Sequence, residues 1–343
     1  MSTNVDEFIE YLAKRDFIVF AGAGVPPESA PPITWKDLLA AFKEKEPDLA
    51  ARDIDKVREN EYPAYAQEIF NALQTMGRES RYYEILREKL RATNARCSLQ
   101  QRDIIETAQH VVTTNFDDSF KNAMDRELEG SEDLKIVQIL PDFRLSALNT
   151  GYSVSYLHGN TNEECIVFKT EDYTTFYPSQ SENDNGNDSL EHFLRCLYTE
   201  RTIVFIGVSF NDEYLLNALT RTCNRIKQND EVGRKKKVGY KSKVEEIQHY
   251  AFMPEDMGIK AEERYWKKGD GISEQQIEEE RNRRKELLAE LKINVITYKE
   301  PVEWTDWFKD IRERRKKPKQ GKTDVFSVED PSKVSFEGVK VDR

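Results

Sequence analysis

The stretch that decides the fold is FIVFAGAGV, at residues 17–25. An apolar run leads directly into two glycines, Gly22 and Gly24, which are separated by a single alanine. A continuous apolar run is typical of a strand that is buried on both faces, as in a parallel sheet covered by helices. The glycines permit a tight turn where that strand ends. The stretch therefore predicts a strand of a parallel α/β sheet.

Further apolar runs predict strands at residues 110–115, 154–159, 203–206, 249–253 and 293–298. Apolar residues at helical spacing lie between them, and a charged helix is predicted near residues 273–291. Strands that alternate with helices predict a doubly wound, Rossmann-like parallel sheet.

The domain organisation follows from the segments that carry no strand pattern. Residues 36–108 contain several helical stripes, so we expect a helical insertion there. Residues 316–343 are basic and then polar, which predicts a flexible tail after a single domain at residues 1–315. A polar loop is predicted at residues 179–189.

Composition and charge exclude several classes of protein. The chain has 343 residues and a net charge of -11, so overall charge does not attract it to nucleic acid. No run approaches the roughly 18–20 apolar residues of a membrane span, and no basic segment with an apolar block opens the chain. The four cysteines form no C-x-x-C pair, which disfavours a zinc ribbon and a disulfide framework. We therefore expect a cytoplasmic protein without metal. The cysteines are Cys97, Cys165, Cys196 and Cys223.

Ligands of an open parallel sheet bind beyond the carboxyl ends of its strands. The first such end is Gly22-Ala23-Gly24-Val25, whose glycines would let a pyrophosphate approach the backbone. The dinucleotide fingerprint G-x-G-x-x-G needs glycine at position 27, which is Pro27, so a hydride-transferring Rossmann enzyme is disfavoured. A tight turn without a ligand explains these glycines equally well.

Two further strand ends carry groups suited to catalysis. Asn115, in the run Thr114-Asn115-Phe116-Asp117, offers an acceptor and two donors for a carboxamide, ribose hydroxyls or a water. Helix capping by Asn115 and Asp117 is the alternative. His158 follows a strand and precedes Gly159, which makes it the best general-base candidate, although a lone histidine is usually structural.

The fourth strand end is Gly207-Val208-Ser209, with Asp212 close behind. A glycine beside a hydroxyl can approach an adenosine ribose closely. Ser209 is equally explained as a helix N-cap.

The four motifs, taken in this order, resemble the sirtuin family of NAD-binding proteins over roughly residues 8–300. The chain departs from the protein deacetylases of that family because it lacks their four-cysteine zinc module. It also has Pro26 and Pro27 where they carry a Ser-rich, Arg-containing loop. It looks more like the zinc-free sirtuin-like NAD hydrolases of bacterial anti-phage defence.

The resemblance implies NAD as substrate, no metal, and release of nicotinamide and ADP-ribose during abortive infection. Asn115 and His158 would be catalytic. It further implies regulation by homo-oligomer assembly or by a separate protein that senses infection. Whether the product is linear or cyclic stays open. The binding residues would be Gly22, Ala23, Gly24, Val25, Thr114, Asp117, Gly207, Ser209 and Asp212.

Three alternatives remain open at this point. The same pocket would serve a catalytically silent sensor of NAD or ADP-ribose, or a zinc-free ADP-ribosyltransferase or deacylase. The basic runs at residues 234–237 and 312–319 would suit a nucleic-acid scaffold, which the acidic balance of the chain disfavours.

Overall fold

The computed structural model describes residues 5–25, 28, 33–49, 53–58, 61–91, 97–160, 166–177, 188–210, 212–236, 247–255 and 274–316. Several predictions fall outside these ranges. They concern the tail after Lys316, the polar loop up to residue 187, the pair Pro26 and Pro27, and Cys165.

Seven parallel strands form one sheet, which confirms the predicted doubly wound α/β fold. Their order is β3-β4-β2-β1-β5-β6-β7, so the chain builds outward from β1 in both directions. All five residues of β1 are at most 1% exposed, as the apolar run predicted. The strands are β1 Phe17–Ala21, β2 His110–Thr113, β3 Lys135–Ile139, β4 Tyr152–Tyr156, β5 Thr202–Ile206, β6 His249–Pro254 and β7 Ile293–Tyr298.

Helices cover both faces of the sheet. The described helices are α1 Val5–Ala13, α2 Trp35–Lys45, α3 Tyr62–Thr75, α4 Glu79–Arg91, α5 Leu99–Ala108, α6 Ser119–Glu127, α7 Thr170–Phe176, α8 Asp188–Glu200, α9 Glu213–Lys236, α10 Glu274–Glu290 and α11 Val302–Lys316. Alternate residues of β1 feed the two cores, because successive side chains of a strand point to opposite faces. Ile18 and Phe20 pack with residues of α8, α9 and α10, whereas Phe17 and Val19 pack with residues of α1, α5, α6 and α11.

Helices α2, α3 and α4 form a separate apolar cluster beside the sheet. This cluster also takes in Phe116 and Phe168, and Trp35 stacks on Phe168 with ring centroids 4.3 Å apart. Helix α5 lies in the predicted insertion range, but its Ile104 and Ile105 pack in the core that covers β1. The helical cluster therefore lies against the segments that follow β2 and β4.

Strand β3 was not predicted from the sequence. Of its residues only Gln138 is buried, and Gln138 Nε2 donates to Ser155 Oγ of β4 at 3.0 Å. An edge strand with one solvent-facing side needs no continuous apolar run, so the pattern that identifies the inner strands is missing here.

In the sheet, β2 lies next to β1 on one side, and β5 lies next to β1 on the other side. The turns after β1 and β5 touch at this switch point. The backbone N–H groups of Gly22 and Gly24 donate to the carbonyls of Ile206 and Gly207, both at 2.9 Å. A Cβ atom on Gly22 would lie 2.4 Å from the carbonyl oxygen of Gly207, so the contact requires glycine.

None of the helices in these ranges has the length and apolar character of a membrane crossing.

We predict that Gly207→Ala destabilises the protein more than Gly77→Ala does. Both glycines have positive φ, +65° and +71°, which alone costs an L-residue about 1–2 kcal/mol. A Cβ on Gly207 would also lie 2.6 Å from the backbone of Gly24, whereas a Cβ on Gly77 meets nothing within 4 Å. Urea denaturation should show a loss of about 2–5 kcal/mol in the free energy of unfolding for Gly207→Ala. Equal losses in the two variants would contradict the close contact.

Candidate functional site

The four strand-end motifs lie side by side because β4, β2, β1 and β5 are consecutive in the sheet. All four strands are parallel, so their carboxyl ends meet at one edge. The sheet topology therefore brings together groups that are up to about 190 residues apart in the chain.

The backbone N–H groups of the glycine turn donate hydrogen bonds to carbonyls of the protein itself. Its Gly22 and Gly24 N–H groups bond to the carbonyls that follow β5, and Val25 N–H donates to the Gly22 carbonyl at 3.0 Å. Close packing against Gly207 thus accounts for both glycines without a ligand. Ala23 and Gly24 are exposed at the tip of the turn, where a ligand can approach.

Thr113 connects the end of β2 to β1 and fixes the backbone of Asn115. Its Oγ1 donates to the Ala21 carbonyl at 3.0 Å and accepts from Asn115 N–H at 3.0 Å. Asn115 is buried, and its side-chain Oδ1 has no hydrogen-bond partner among the described residues. A buried polar atom without a partner costs about 1–3 kcal/mol. The amide oxygen of Asn115 is therefore available to a ligand or a water.

The carboxylates that follow Asn115 support the start of α6. Asp117 Oδ1 accepts from the N–H of Ser119, the first residue of α6, at 2.9 Å, and Asp118 is the N-cap residue of this helix. Burial raises the pKa of Asp117. The buried Asp118 accepts a 2.6 Å hydrogen bond from Asn160 Nδ2.

His158 lies in the same site as Asn115. It has a hydrogen bond with the backbone of Thr114, and its ring centroid is 5.9 Å from that of Phe116, so both chain neighbours of Asn115 contact it. His158 is 3% exposed, and its Nε2 lies 2.7 Å from the Tyr177 hydroxyl. The structure thus brings the two predicted catalytic residues together.

The surroundings of His158 favour the neutral imidazole. Burial lowers its pKa because the charged form is desolvated, while Asp212 and the backbone hydrogen bond at Thr114 act in the opposite direction. Nε2 and the Tyr177 hydroxyl share a hydrogen bond, and the tautomer of the ring decides which of the two donates.

Asp212 lies beside His158, whereas the sequence analysis had grouped it with Ser209. Its Oδ1 accepts from the N–H groups of Tyr214 and Leu215 at 2.9 and 3.0 Å, which caps α9. Its Oδ2 lies 3.5 Å from His158 Nε2. Ser209, in contrast, is exposed.

Sequence reasoning missed the aromatic wall of the site. Tyr173, in the middle of α7, and Tyr177, directly after the helix, pack on His158, and Tyr173 stacks on Tyr214 with centroids 4.3 Å apart. The i,i+4 spacing of Tyr173 and Tyr177 was the available signal, because such residues share one helix face. Their roles depend on which residue they face, and that is decided by the tertiary fold.

Within the described ranges, no group of three or more His, Cys, Asp or Glu side chains could hold a metal ion. Cys97, Cys196 and Cys223 are free thiols.

No curated protein matches the chain. Residues 109–273, just under half of the chain, match the family model described as a SIR2-like domain. The matched segment contains Asn115, His158 and Asp212, and the glycine turn precedes it. The match supports the sirtuin-like resemblance over residues 109–273.

Proposed function

We propose that this protein hydrolyses NAD at the bond between nicotinamide and ribose, releasing nicotinamide and ADP-ribose. The SIR2-like domain indicates an NAD-related function. The observation that carries the proposal is the pairing of a buried, neutral imidazole at His158 with a buried, unpartnered amide oxygen at Asn115. Both lie at the carboxyl edge of the sheet, where such folds bind ligands.

Asn115 would orient the reacting groups. Its Oδ1 can accept a hydrogen bond from the carboxamide of nicotinamide or from the attacking water, and either would supply the partner that this atom lacks. Orientation of this kind accounts for much of the rate of a reaction with an oxocarbenium-like transition state.

His158 would act as the general base. As the bond between ribose C1′ and nicotinamide breaks, its electron pair neutralises the pyridinium ring. The oxygen of water bonds to C1′, and His158 Nε2 takes the proton of that water or of a ribose hydroxyl before releasing it to solvent. The lowered pKa keeps this base unprotonated at neutral pH.

The remaining site residues would hold the rest of the dinucleotide. Ala23 and Gly24 are exposed at the turn and would face the pyrophosphate, while Gly207 and the exposed Ser209 would lie toward the adenosine. Water is the default acceptor, so a product that depends on a protein acceptor would instead indicate a transferase or deacylase.

The proposal includes regulation, because an NAD hydrolase that is always active would deplete its own cell. Asn115 and His158 are 7% and 3% exposed, and Tyr177 occupies Nε2 of the base. A site in this closed form would need an activating step. We propose a homo-oligomer or a separate infection-sensing protein as the activator, in an anti-phage abortive defence system.

We predict that His158→Ala and Asn115→Ala each lower the rate of nicotinamide release by about 10²–10⁴-fold. Chromatography of nicotinamide from purified protein incubated with NAD measures the effect. His192→Ala is the matched control because His192 is exposed on α8, and it should keep full turnover.

Asn115→Ala should leave the free energy of unfolding within about 1 kcal/mol of the wild type, because its Oδ1 makes no hydrogen bond that folding would lose. Turnover close to wild type in either variant would remove that residue from the mechanism. NAD binding without nicotinamide release by the wild type would favour the silent sensor.

We predict that Tyr177→Phe raises nicotinamide release about fivefold. The phenol must leave Nε2 before a substrate hydroxyl or water can reach it, and a typical net hydrogen bond is worth about 1 kcal/mol. Tyr198→Phe is the matched control, since its buried hydroxyl has no partner in the described part of the chain. A large loss of turnover in Tyr177→Phe would mean that Tyr177 relays the proton instead of blocking the base.

A further inference from the structure

We propose that Asp212 is a positioning residue for His158: its carboxylate stabilises the imidazolium that forms when His158 takes a proton. The inference rests on the proposed NAD hydrolysis. It replaces the contact with adenosine that the sequence analysis assigned to Asp212.

The carboxylate of Asp212 is fixed before any substrate binds. Its Oδ1 is held by the two N–H groups that open α9, at Tyr214 and Leu215. This leaves Oδ2 directed at His158 Nε2, 3.5 Å away, with the Tyr173 hydroxyl donating to the same oxygen at 3.4 Å. A carboxylate held on one side by a helix N-terminus keeps a single orientation on the other.

Among the described residues that face His158, Asp212 is the only one that carries a charge. The hydroxyls of Tyr177 and Tyr173 are neutral because burial raises the pKa of both well above the ordinary value of tyrosine. Phe116 is apolar, and Thr114 contributes its backbone. An imidazolium at this position would therefore depend on Asp212 for its counter-charge.

This counter-charge matters because His158 is buried. Burial alone lowers the pKa of His158 and weakens it as a base, and Asp212 acts in the opposite direction. The carboxylate has a 26% exposed side chain, so it stays solvated while the ring does not. Together they form a dyad in which the ring is neutral at rest and can still hold a proton during turnover.

The variant Asp212→Asn tests this role without removing the helix cap. Asparagine caps helices as well as aspartate does, so the hydrogen bonds to Tyr214 and Leu215 are retained while the charge is lost. Asp212→Ser, which also caps, is the second variant if the first folds poorly. Glu213→Gln is the matched control: it removes the same charge from the exposed face of the same helix turn.

For Asp212→Asn we expect kcat for nicotinamide release to fall about 10- to 100-fold, with KM unchanged. A base acts in its neutral form, so turnover rises with pH through the pKa of His158. Loss of the carboxylate lowers that pKa, and the acid limb of the pH–rate profile should move to lower pH. Glu213→Gln should change neither quantity. A raised KM with unchanged kcat would overturn the inference and return Asp212 to adenosine binding.

A second measurement does not depend on turnover. The chain has four histidines, so the His158 ring can be assigned and titrated by NMR in selectively labelled protein. Its pKa should fall in Asp212→Asn and stay unchanged in Glu213→Gln. An unchanged pKa in Asp212→Asn overturns the dyad. If the wild type releases no nicotinamide, the proposed hydrolysis fails, and this titration still decides the pairing.

Discussion

The site depends on the contact between two glycine turns at the centre of the sheet. Gly22 and Gly24 after β1 donate their N–H groups to the carbonyls of Ile206 and Gly207 after β5, at a distance that no Cβ atom would allow. At this switch point the connection after β1 leads toward β2 on one side of the sheet order, and the connection after β5 leads toward β6 on the other side. By joining β1 and β5 there, the contact fixes the edge on which the neighbouring ends of β2 and β4 present Asn115 and His158.

Polar groups at this edge are held at a cost to stability. Asn115 Oδ1 is buried without a partner in the described structure, and His158 is buried in a ring of aromatic side chains. Buried polar groups in folded proteins normally have hydrogen-bond partners, and buried positions without such partners are normally occupied by apolar residues. An amide oxygen without a partner at Asn115, close to a buried imidazole at His158, is typical of a site in which a ligand completes the hydrogen bonding.

The inner strands could be predicted from sequence because burial on both faces leaves a continuous apolar run, as at residues 17–21. Strand β3 at the edge has no such run. Asn115 and His158 could be identified because each follows a recognisable strand. The partners of His158 could not, since Asp212 and Tyr177 lie 54 and 19 residues away and meet it only through packing. The sequence therefore identified Asp212 as a site residue but not its position beside His158.

The closed form of the site and its chemistry have one physical origin. The burial that keeps His158 neutral, and so able to accept a proton, also excludes water and brings Tyr177 onto Nε2. Any motion that admits substrate would raise the exposure of the ring and reduce the desolvation that lowers its pKa. Asp212 is anchored to the backbone of α9 through the N–H groups of Tyr214 and Leu215. A shift of α7 that releases Nε2 from Tyr177 would also break the contacts of Tyr173 with Asp212 and Tyr214, while the hydrogen bonds from α9 to Asp212 Oδ1 would remain.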